Sequence, residues 1–321
     1  MKILIASSID KDAINELSQE HDVICAFGAP EDELKKLIVD REILIFRSGV
    51  QITADVMSAA PNLRLILRAG SGYDNIDMDY VLHQKPIRFI RIPGPGARAV
   101  AEMSFALMLA LSRNLFIADR EWRAGHWVKQ KMKGQLLAGK VLGIVGAGNI
   151  GRRTGAMGVA WGMDVLGCVE LPRPETHAAL RERGIHPATL EEVLAQSDYV
   201  SVHVPLQDST RDMIGAKEIA LMKKGAILIN LARGGVVNEE ALYDALVSGQ
   251  IAGAGLDVHE NEGEGKISRF VDMDNVILTP HIGASTVDSQ RQIGQIMVTY
   301  VNEAMNQTPE EALAAEKIVI V

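Results

Sequence analysis

Short apolar runs alternate with segments of helical periodicity through the first hundred residues of the chain. Strands separated by helices are typical of βαβ units, because parallel neighbours need a crossover connection between them. The alternation therefore predicts a parallel sheet covered by helices. The predicted strands are KILIA, DVICAF, EILIFRS, LRLILRAG and IRFIRIPG, and the predicted helices are KDAINELSQE, PEDELKKLIVD and TADVMSAA.

The middle of the chain begins with its densest turn signal, Pro93-Gly94-Pro95-Gly96, which predicts a hinge between two domains. The segment that follows, residues 99–122, is apolar on most sides and predicts one long helix. A helix of this kind is normally buried, so we expect it to pack between domains or against a second subunit.

A second alternating series fills the rest of the chain, and a long amphipathic helix begins near Ser285. We expect that helix to return to the first sheet. The pattern predicts an α/β protein with two doubly wound parallel-sheet domains, one from residues 1–97 with 287–321 and one from residues 98–286. The predicted strands of the second series are KVLGIVG, GMDVLGCVE, YVSVHVPL, AILINLARGG, IAGAGLDV and NVILTPHIG.

Composition narrows the class of protein without changing this organisation. The 321 residues suit two domains, and 47% hydrophobic with 23% charged residues is ordinary for a soluble globular enzyme. The net charge of -8 gives no reason to expect a nucleic-acid or acidic-membrane partner. No window approaches the run of about 18 apolar residues that a membrane span needs. The two cysteines, Cys25 and Cys168, form no metal-ligand pattern and favour a reducing cytoplasm.

A glycine motif, GAGNIG at residues 146–151, follows a predicted strand and opens a predicted helix. In that context the glycines allow a tight turn, a close approach to a pyrophosphate and close helix packing. The bland alternative is a glycine-rich turn without a ligand. We expect a dinucleotide cofactor to contact Gly146, Gly148, Asn149, Ile150 and Gly151.

A carboxylate at the end of the next strand would accept the hydrogen bonds of the cofactor ribose. The candidate is Glu170, and the residue before it is Val169.

Charged side chains follow three further predicted strands. Arg233 ends an apolar strand and precedes two glycines, Asp257 ends another strand, and His281 follows a third. Ligands bind at the carboxyl ends of strands in such sheets. An arginine suits a carboxylate, and a histidine beside a carboxylate suits proton transfer to a keto oxygen. The alternatives are a surface arginine, a loop histidine and, for Glu260, Glu262 and Glu264, a solvated charge run.

The chain resembles the D-isomer-specific 2-hydroxyacid dehydrogenases, which include phosphoglycerate dehydrogenase. The resemblance implies a flavodoxin-like substrate domain plus a Rossmann-type nucleotide-binding domain. It also implies that Arg233 binds the substrate carboxylate, that His281 is the acid/base, and that Glu262, five residues after Asp257, is its partner. The motifs that carry the resemblance are RAGSGYDNID, AVAEMSFALMLALSRN, VLGIVGAGNIG, MKKGAILINLARGGVVN, AGAGLDV and ILTPHIGAST.

The resemblance further implies a homodimer, a small-molecule 2-keto or 2-hydroxy acid as substrate, and NAD as cofactor with NADP open. Two positions depart from the family pattern: Gly96-Ala97 replaces Asn-Thr, and Val169 stands where the ribose-binding aspartate is expected. The implied substrate contacts are Arg47, Ser71, Gly72, Arg233 and His281. The further implied cofactor contacts are Val204, Pro205, Leu231, Ala232, Arg233, Asp257, His281, Gly283 and Ala284.

Two other functions fit the same fold. A formate- or phosphite-type dehydrogenase is the nearest enzymatic alternative, although formate dehydrogenases carry glutamine where this chain has Glu262. A non-catalytic nucleotide-sensing corepressor is the alternative from another class, and it would be expected to carry extra binding segments. The sequence does not name the 2-hydroxy acid, and the physiological direction stays open.

Overall fold

The computed structural model describes residues 1–84, 87–306 and 318–320. The chain divides into two compact units, Met1–Ala97 with Ser285–Val321, and Arg98–Ala284. Of the return segment expected at 287–321, residues 307–317 and 321 lie outside the described part.

Strands and helices alternate along most of the chain. The strands are β1 (Lys2–Ile5), β2 (Asp22–Cys25), β3 (Ile43–Phe46), β4 (Leu65–Arg68), β5 (Arg88–Arg91), β6 (Val141–Val145), β7 (Asp164–Cys168), β8 (His186–Pro187), β9 (Tyr199–Val202), β10 (Ala226–Asn230), β11 (Ile251–Leu256), β12 (Val276–Leu278) and β13 (Ile318–Ile320). The helices are α1 (Lys11–Glu20), α2 (Glu31–Leu37), α3 (Ala54–Ser58), α4 (Met78–His83), α5 (Gly94–Ser112), α6 (Leu115–Arg123), α7 (Asn149–Ala160), α8 (Pro174–Arg181), α9 (Leu190–Gln196), α10 (Ala216–Leu221), α11 (Glu239–Val247) and α12 (Val287–Asn306).

The first unit is built on a parallel sheet in the order β2-β1-β3-β4-β5-β13. Apart from the last strand, this is the flavodoxin order. All four residues of β3 are buried, as expected of a strand covered on both faces. Ile293, Met297 and Val301, one or two turns apart on α12, pack in one apolar cluster with Ile3 of β1. The last long helix therefore covers the first sheet.

The second unit is built on a seven-stranded sheet in the order β8-β7-β6-β9-β10-β11-β12, and every described pair is parallel. The strand order reverses between β6 and β9, which is the arrangement of a Rossmann fold. Ligands bind at such a switch point, beyond the carboxyl ends of the strands. The predicted fold class, two doubly wound parallel sheets, is confirmed.

The middle of the chain differs from expectation in two ways. The turn signal Pro93–Gly96, where we expect the hinge, leads directly into a helix, since Gly94, Pro95 and Gly96 form the first turn of α5, and the boundary between the two units falls next to it, between Ala97 and Arg98. Proline fits there because a first-turn residue has no intrahelical N–H bond to lose. The single long helix is two helices bent by 59°. Asn114, with φ of 52°, breaks them apart, and asparagine tolerates this left-handed conformation.

The two halves of this bent pair differ in burial. Phe105, Leu107 and Met108 of α5 lie in the core of the second unit, whereas α6 has no buried residue. Within the described residues, no one helix has both the length and the apolar character to cross a membrane. The bent pair meets those two criteria only when α5 and α6 are counted together.

Candidate active site

The glycine motif forms the connection between β6 and α7. Gly146 has φ of 90°, and a Cβ on it would lie 2.6 Å from Cγ1 of Val204. A Cβ on Gly151 would overlap the carbonyl oxygen of Gly146, so the third glycine lets α7 start directly on the strand. Gly148 faces open space within 4 Å of its Cβ position. The loop is thus tight against the protein at two glycines and open at the one between them.

The open glycine lies at the N-terminus of α7. No side chain caps this helix, and the first N–H groups of a helix have no intrahelical acceptor. The N–H groups of Gly146 and Ala147 donate to the carbonyl of Cys168, at 3.2 and 2.8 Å, which ties the loop to the end of β7. Uncapped N–H groups beside an open glycine fit the pyrophosphate of a dinucleotide.

The position expected to face the ribose lies just past β7, which ends at Cys168. Val169 is half-buried against the apolar cluster that contains Ile144 and Ala147. Glu170 is exposed, and no hydrogen bond or ion pair holds its carboxylate within the part of the chain that the structure describes. Arg173 is also exposed, where α8 begins.

The turn that carries Arg233 is held by a buried side chain at the end of β10. The Asn230 Oδ1 accepts from the N–H of Ala232 at 3.0 Å, and its Nδ2 donates to the carbonyl of Arg233 at 3.1 Å. A Cβ on Gly234 would overlap the backbone carbonyl of His259. The glycine after the arginine is therefore needed for this loop to pass against the loop that follows β11.

Asp257 holds the loop that follows β12. It is 2% exposed, and its Oδ1 accepts from Oγ1 of Thr279 at 2.6 Å and from the N–H of Ile282 at 2.9 Å. Its Oδ2 accepts from the N–H of Gly283 at 2.7 Å, and its carbonyl accepts from the N–H of His281 at 2.8 Å. A buried carboxylate with three donors is a strong anchor. Asp257 thus fixes the backbone on both sides of the histidine.

His281 and Glu262 are in direct contact. The Nδ1 of His281 lies 2.8 Å from Oε2 of Glu262, and the two side chains are 32% and 40% exposed. Because Nδ1 faces the carboxylate, Nε2 is left to exchange a proton with a ligand. The histidine has φ of 54°, which a non-glycine residue rarely adopts and which its anchored loop imposes.

The carboxylate of Glu262 is kept ionised by these contacts. Burial alone raises the pKa of this group, but hydrogen bonds from His281 and from the backbone N–H of His259 outweigh it. The pKa of Glu262 is therefore held below its ordinary value. An ionised carboxylate at this distance stabilises a positively charged imidazole ring.

The three neighbouring glutamates have different surroundings. The Oε1 of Glu260 accepts from the N–H of Glu239 at 3.1 Å, and Oε1 of Glu239 accepts from the N–H of Glu260 at 2.8 Å. Glu264 is exposed and has no side-chain hydrogen bond or ion pair within the described ranges. Of the three, Glu262 is the one that contacts His281.

Arg233, Glu262 and His281 follow three adjacent strands, β10, β11 and β12, which pair in parallel. The Arg233 loop contacts the Glu262 loop where Gly234 meets His259, and the Glu262 loop contacts the His281 loop through the carboxylate–imidazole pair. The other expected cofactor residues lie at the same edge. Leu231 and Ala232 are buried, Val204 and Ala284 are half-buried, and Pro205 is exposed.

The expected substrate residues of the first unit lie after β3 and β4. Arg47 is half-buried, its N–H donates to Oγ of Ser7 at 3.0 Å, and burial lowers the pKa of its guanidinium. That guanidinium has no hydrogen bond or ion pair to another described residue. Ser71 and Gly72 are half-buried, and the carbonyl of Ser71 accepts from Nη1 of Arg91 at 3.0 Å.

Comparison with known proteins places these features in one family. The sequence model described as "D-isomer specific 2-hydroxyacid dehydrogenase, NAD binding domain" matches residues 105–283. The chain belongs to this family. Family membership confirms the resemblance noted from the motifs. The chain is therefore an oxidoreductase that acts on the CH–OH group of a 2-hydroxy acid.

Several members of the family are similar to this chain over nearly its whole length. Hydroxypyruvate reductase of Thermotoga maritima is 39% identical over 296 residues, covering 91% of this chain and 94% of the relative. D-3-phosphoglycerate dehydrogenase of Methanocaldococcus jannaschii is 38% identical over 305 residues, which is 95% of this chain but only 57% of that dehydrogenase. The D-lactate dehydrogenase of Aquifex aeolicus, solved with NAD and lactic acid, has a TM-score of 0.82 at 32% identity, covering 95% and 96%.

The dehydrogenase site contains three supporting residues that sequence reasoning missed. Asn230 shapes the arginine turn, Glu239 holds Glu260, and His259 contacts the Glu262 carboxylate through its N–H. Asn230 had a visible signal, since it is a polar residue at the end of an otherwise apolar strand. Glu239 and His259 had none, because their roles depend on contacts between separate loops.

Proposed function

We propose that this dehydrogenase interconverts a 2-keto acid and a D-2-hydroxy acid. The observation that carries the proposal is the contact of Glu262 with His281 beside the Arg233 loop. A nicotinamide cofactor supplies or accepts the hydride when it is bound. The guanidinium of Arg233 binds the substrate carboxylate, and Nε2 of His281 donates a proton to the carbonyl oxygen during reduction.

The pair of Glu262 and His281 suits a reaction that moves a proton as well as a hydride. In the reductive direction the imidazolium is the reactant, and the ionised Glu262 stabilises it and orients the ring. In the oxidative direction the neutral ring accepts the hydroxyl proton, and the same carboxylate stabilises the charge that develops. Oxidation of formate releases no such proton, so this pair favours a hydroxy acid over formate.

NAD is the proposed cofactor, with a modest preference over NADP. Val169 is packed against the protein and offers the ribose no hydrogen bond. Glu170 is the remaining carboxylate at this turn, and it would repel a 2′-phosphate more than the exposed Arg173 would attract one. The glycine motif at residues 146–151 would contact the pyrophosphate, which both cofactors share.

The proposed substrate carries a second anionic group. Arg47 is half-buried without a described partner for its guanidinium, which leaves the cation available to an anion. The name of the M. jannaschii relative indicates a phosphorylated acid, whereas the A. aeolicus enzyme was solved with lactic acid. If Arg47 binds a second anion, Arg47→Ala lowers kcat/KM sharply for a dianionic acid and little for pyruvate. Equal losses for both would contradict it.

The proposed assembly is a homodimer in a reducing cytoplasm. Large apolar side chains on α6 and on the segment after it are exposed, among them Phe116 at 63% and Trp127 at 73%. We infer that a second subunit covers these side chains, since large exposed apolar areas mark interfaces. Both Cys25 and Cys168 are free thiols. Sedimentation should give a mass near twice 34.8 kDa, and a mass of one chain would contradict the dimer.

The test of the activity is a steady-state assay over a panel of 2-keto acids with both reduced cofactors. We expect cofactor oxidation with at least one 2-keto acid, and formation of the D-isomer of the product. Cofactor binding without turnover of any 2-keto or 2-hydroxy acid would contradict the proposal and favour a sensing role.

A further inference from the structure

A second histidine, His259, contacts Glu262 and also the loop that carries His281. Its backbone N–H donates to Oε1 of Glu262 at 3.1 Å, and the other oxygen of that carboxylate lies 2.8 Å from His281. The carboxylate is therefore held between the backbone of one histidine and the ring of the other.

The ring of His259 reaches the loop that carries His281. Its Nε2 lies 3.0 Å from the carbonyl oxygen of Thr279, and since a carbonyl only accepts, Nε2 carries the proton. The same carbonyl accepts from the backbone N–H of His281 at 3.1 Å. One oxygen atom thus receives a bond from the His259 ring and one from the His281 backbone.

This bond is the polar contact that orients the His259 ring. Its Nδ1 is buried and has no hydrogen-bond partner in the described chain, and the residue is only partly exposed. The His259 backbone is confined as well, because its carbonyl lies where a Cβ on Gly234 would stand. Three loops therefore meet at this residue, those that follow β10, β11 and β12.

We propose that His259 is a positioning residue that sets the distance and angle between Glu262 and His281. Its backbone fixes the carboxylate on one side, and its ring fixes the carbonyl two residues before His281 on the other. Small displacements between reacting or proton-carrying groups are costly in rate. The inference rests on the proposed function, since the pair it aligns is the proposed proton donor.

The test compares two substitutions of the same residue. His259→Phe keeps a flat ring but removes the Nε2 donor, and we expect kcat to fall by roughly tenfold with KM for the reduced cofactor unchanged. His259→Gln retains an N–H donor that can reach the Thr279 carbonyl, and we expect kcat within about threefold of wild type. His186→Phe, at an exposed position on β8, is the matched control and should retain wild-type kcat.

Two results would overturn the inference. Wild-type kcat in His259→Phe would mean that the ring bond does not align the pair, and equal losses of kcat in the Phe and Gln variants would mean that the N–H donor to the Thr279 carbonyl is not what the site requires. The proposed function is judged separately, by whether the wild-type enzyme turns over any 2-keto acid. An active wild type with unaltered His259→Phe contradicts this inference and leaves the proposed function standing.

Discussion

At the scale of single residues, the site depends on what each carboxylate touches. Asp257, Glu260 and Glu262 lie within six residues of one another, yet each has a different partner. Asp257 is buried and anchors a loop, Glu260 binds a helix N-terminus, and Glu262 alone contacts the imidazole. We infer that the contacts of each carboxylate determine its role at this edge of the sheet. Their charge and their spacing along the chain are too similar to do so.

The contact of Glu262 with His281 predicts a shift in the pH dependence of reduction. The low pKa of Glu262 keeps it ionised across the assay range, so a negative charge lies beside the imidazole ring of His281. Removing the charge in Glu262→Gln should move the fall of kcat/KM with rising pH to lower pH, by about one unit. Glu264→Gln is the matched control because Glu264 is exposed, and its profile should equal that of wild type. An unshifted profile in Glu262→Gln would contradict the pairing.

The exposed carboxylate at Glu170 predicts a measurable cofactor preference. We expect kcat/KM for NADH to exceed that for NADPH by about tenfold, which is about 1.4 kcal/mol. Removing the repulsion in Glu170→Ala should narrow the ratio. If NADPH is preferred by the wild type, or if Glu170→Ala leaves the ratio unchanged, then Glu170 does not face the ribose.

At the scale of elements, the loops after β10, β11 and β12 support one another. The close approach of the loops after β10 and β11 requires glycine at position 234, because a Cβ there would overlap the His259 backbone. Gly234→Ala should push these loops apart and lower kcat/KM by about tenfold or more, while the far-ultraviolet circular dichroism stays unchanged. Gly215→Ala is the control, since its Cβ approaches other atoms no closer than 3.3 Å. Wild-type kcat/KM in Gly234→Ala would show that the loops do not need this approach.

Elements with a strong periodic signal were predictable from the sequence, and those decided by one backbone angle were not. The parallel strands were visible as apolar runs, and α1 was predicted over the ten residues that it occupies. The break at Asn114 was missed because the apolar pattern continues across it while the backbone turns left-handed. The strand β8 was missed because its two residues are too few to show an apolar periodicity. In the site, Glu262 was reached through family resemblance, since the residues alone did not separate it from Glu260 and Glu264.

At the scale of the whole molecule, two doubly wound sheets of different strand order share one chain. The first unit has the order of a flavodoxin-like sheet, and the second has the order of a Rossmann fold with its switch point between β6 and β9. The second unit alone carries the glycine motif, Arg233, Glu262 and His281. In the first unit, α12 packs in the core, and the unit also contains Arg47 and the loop after β4.

The central claim is that His281, paired with Glu262, transfers the proton that accompanies hydride transfer to a 2-keto acid. The most direct test is kcat with reduced cofactor and the best 2-keto acid for wild type and His281→Ala, with cofactor affinity measured by fluorescence titration. The account predicts a fall in kcat of about 10²-fold or more, with cofactor affinity nearly intact. Near-wild-type turnover in His281→Ala would contradict it.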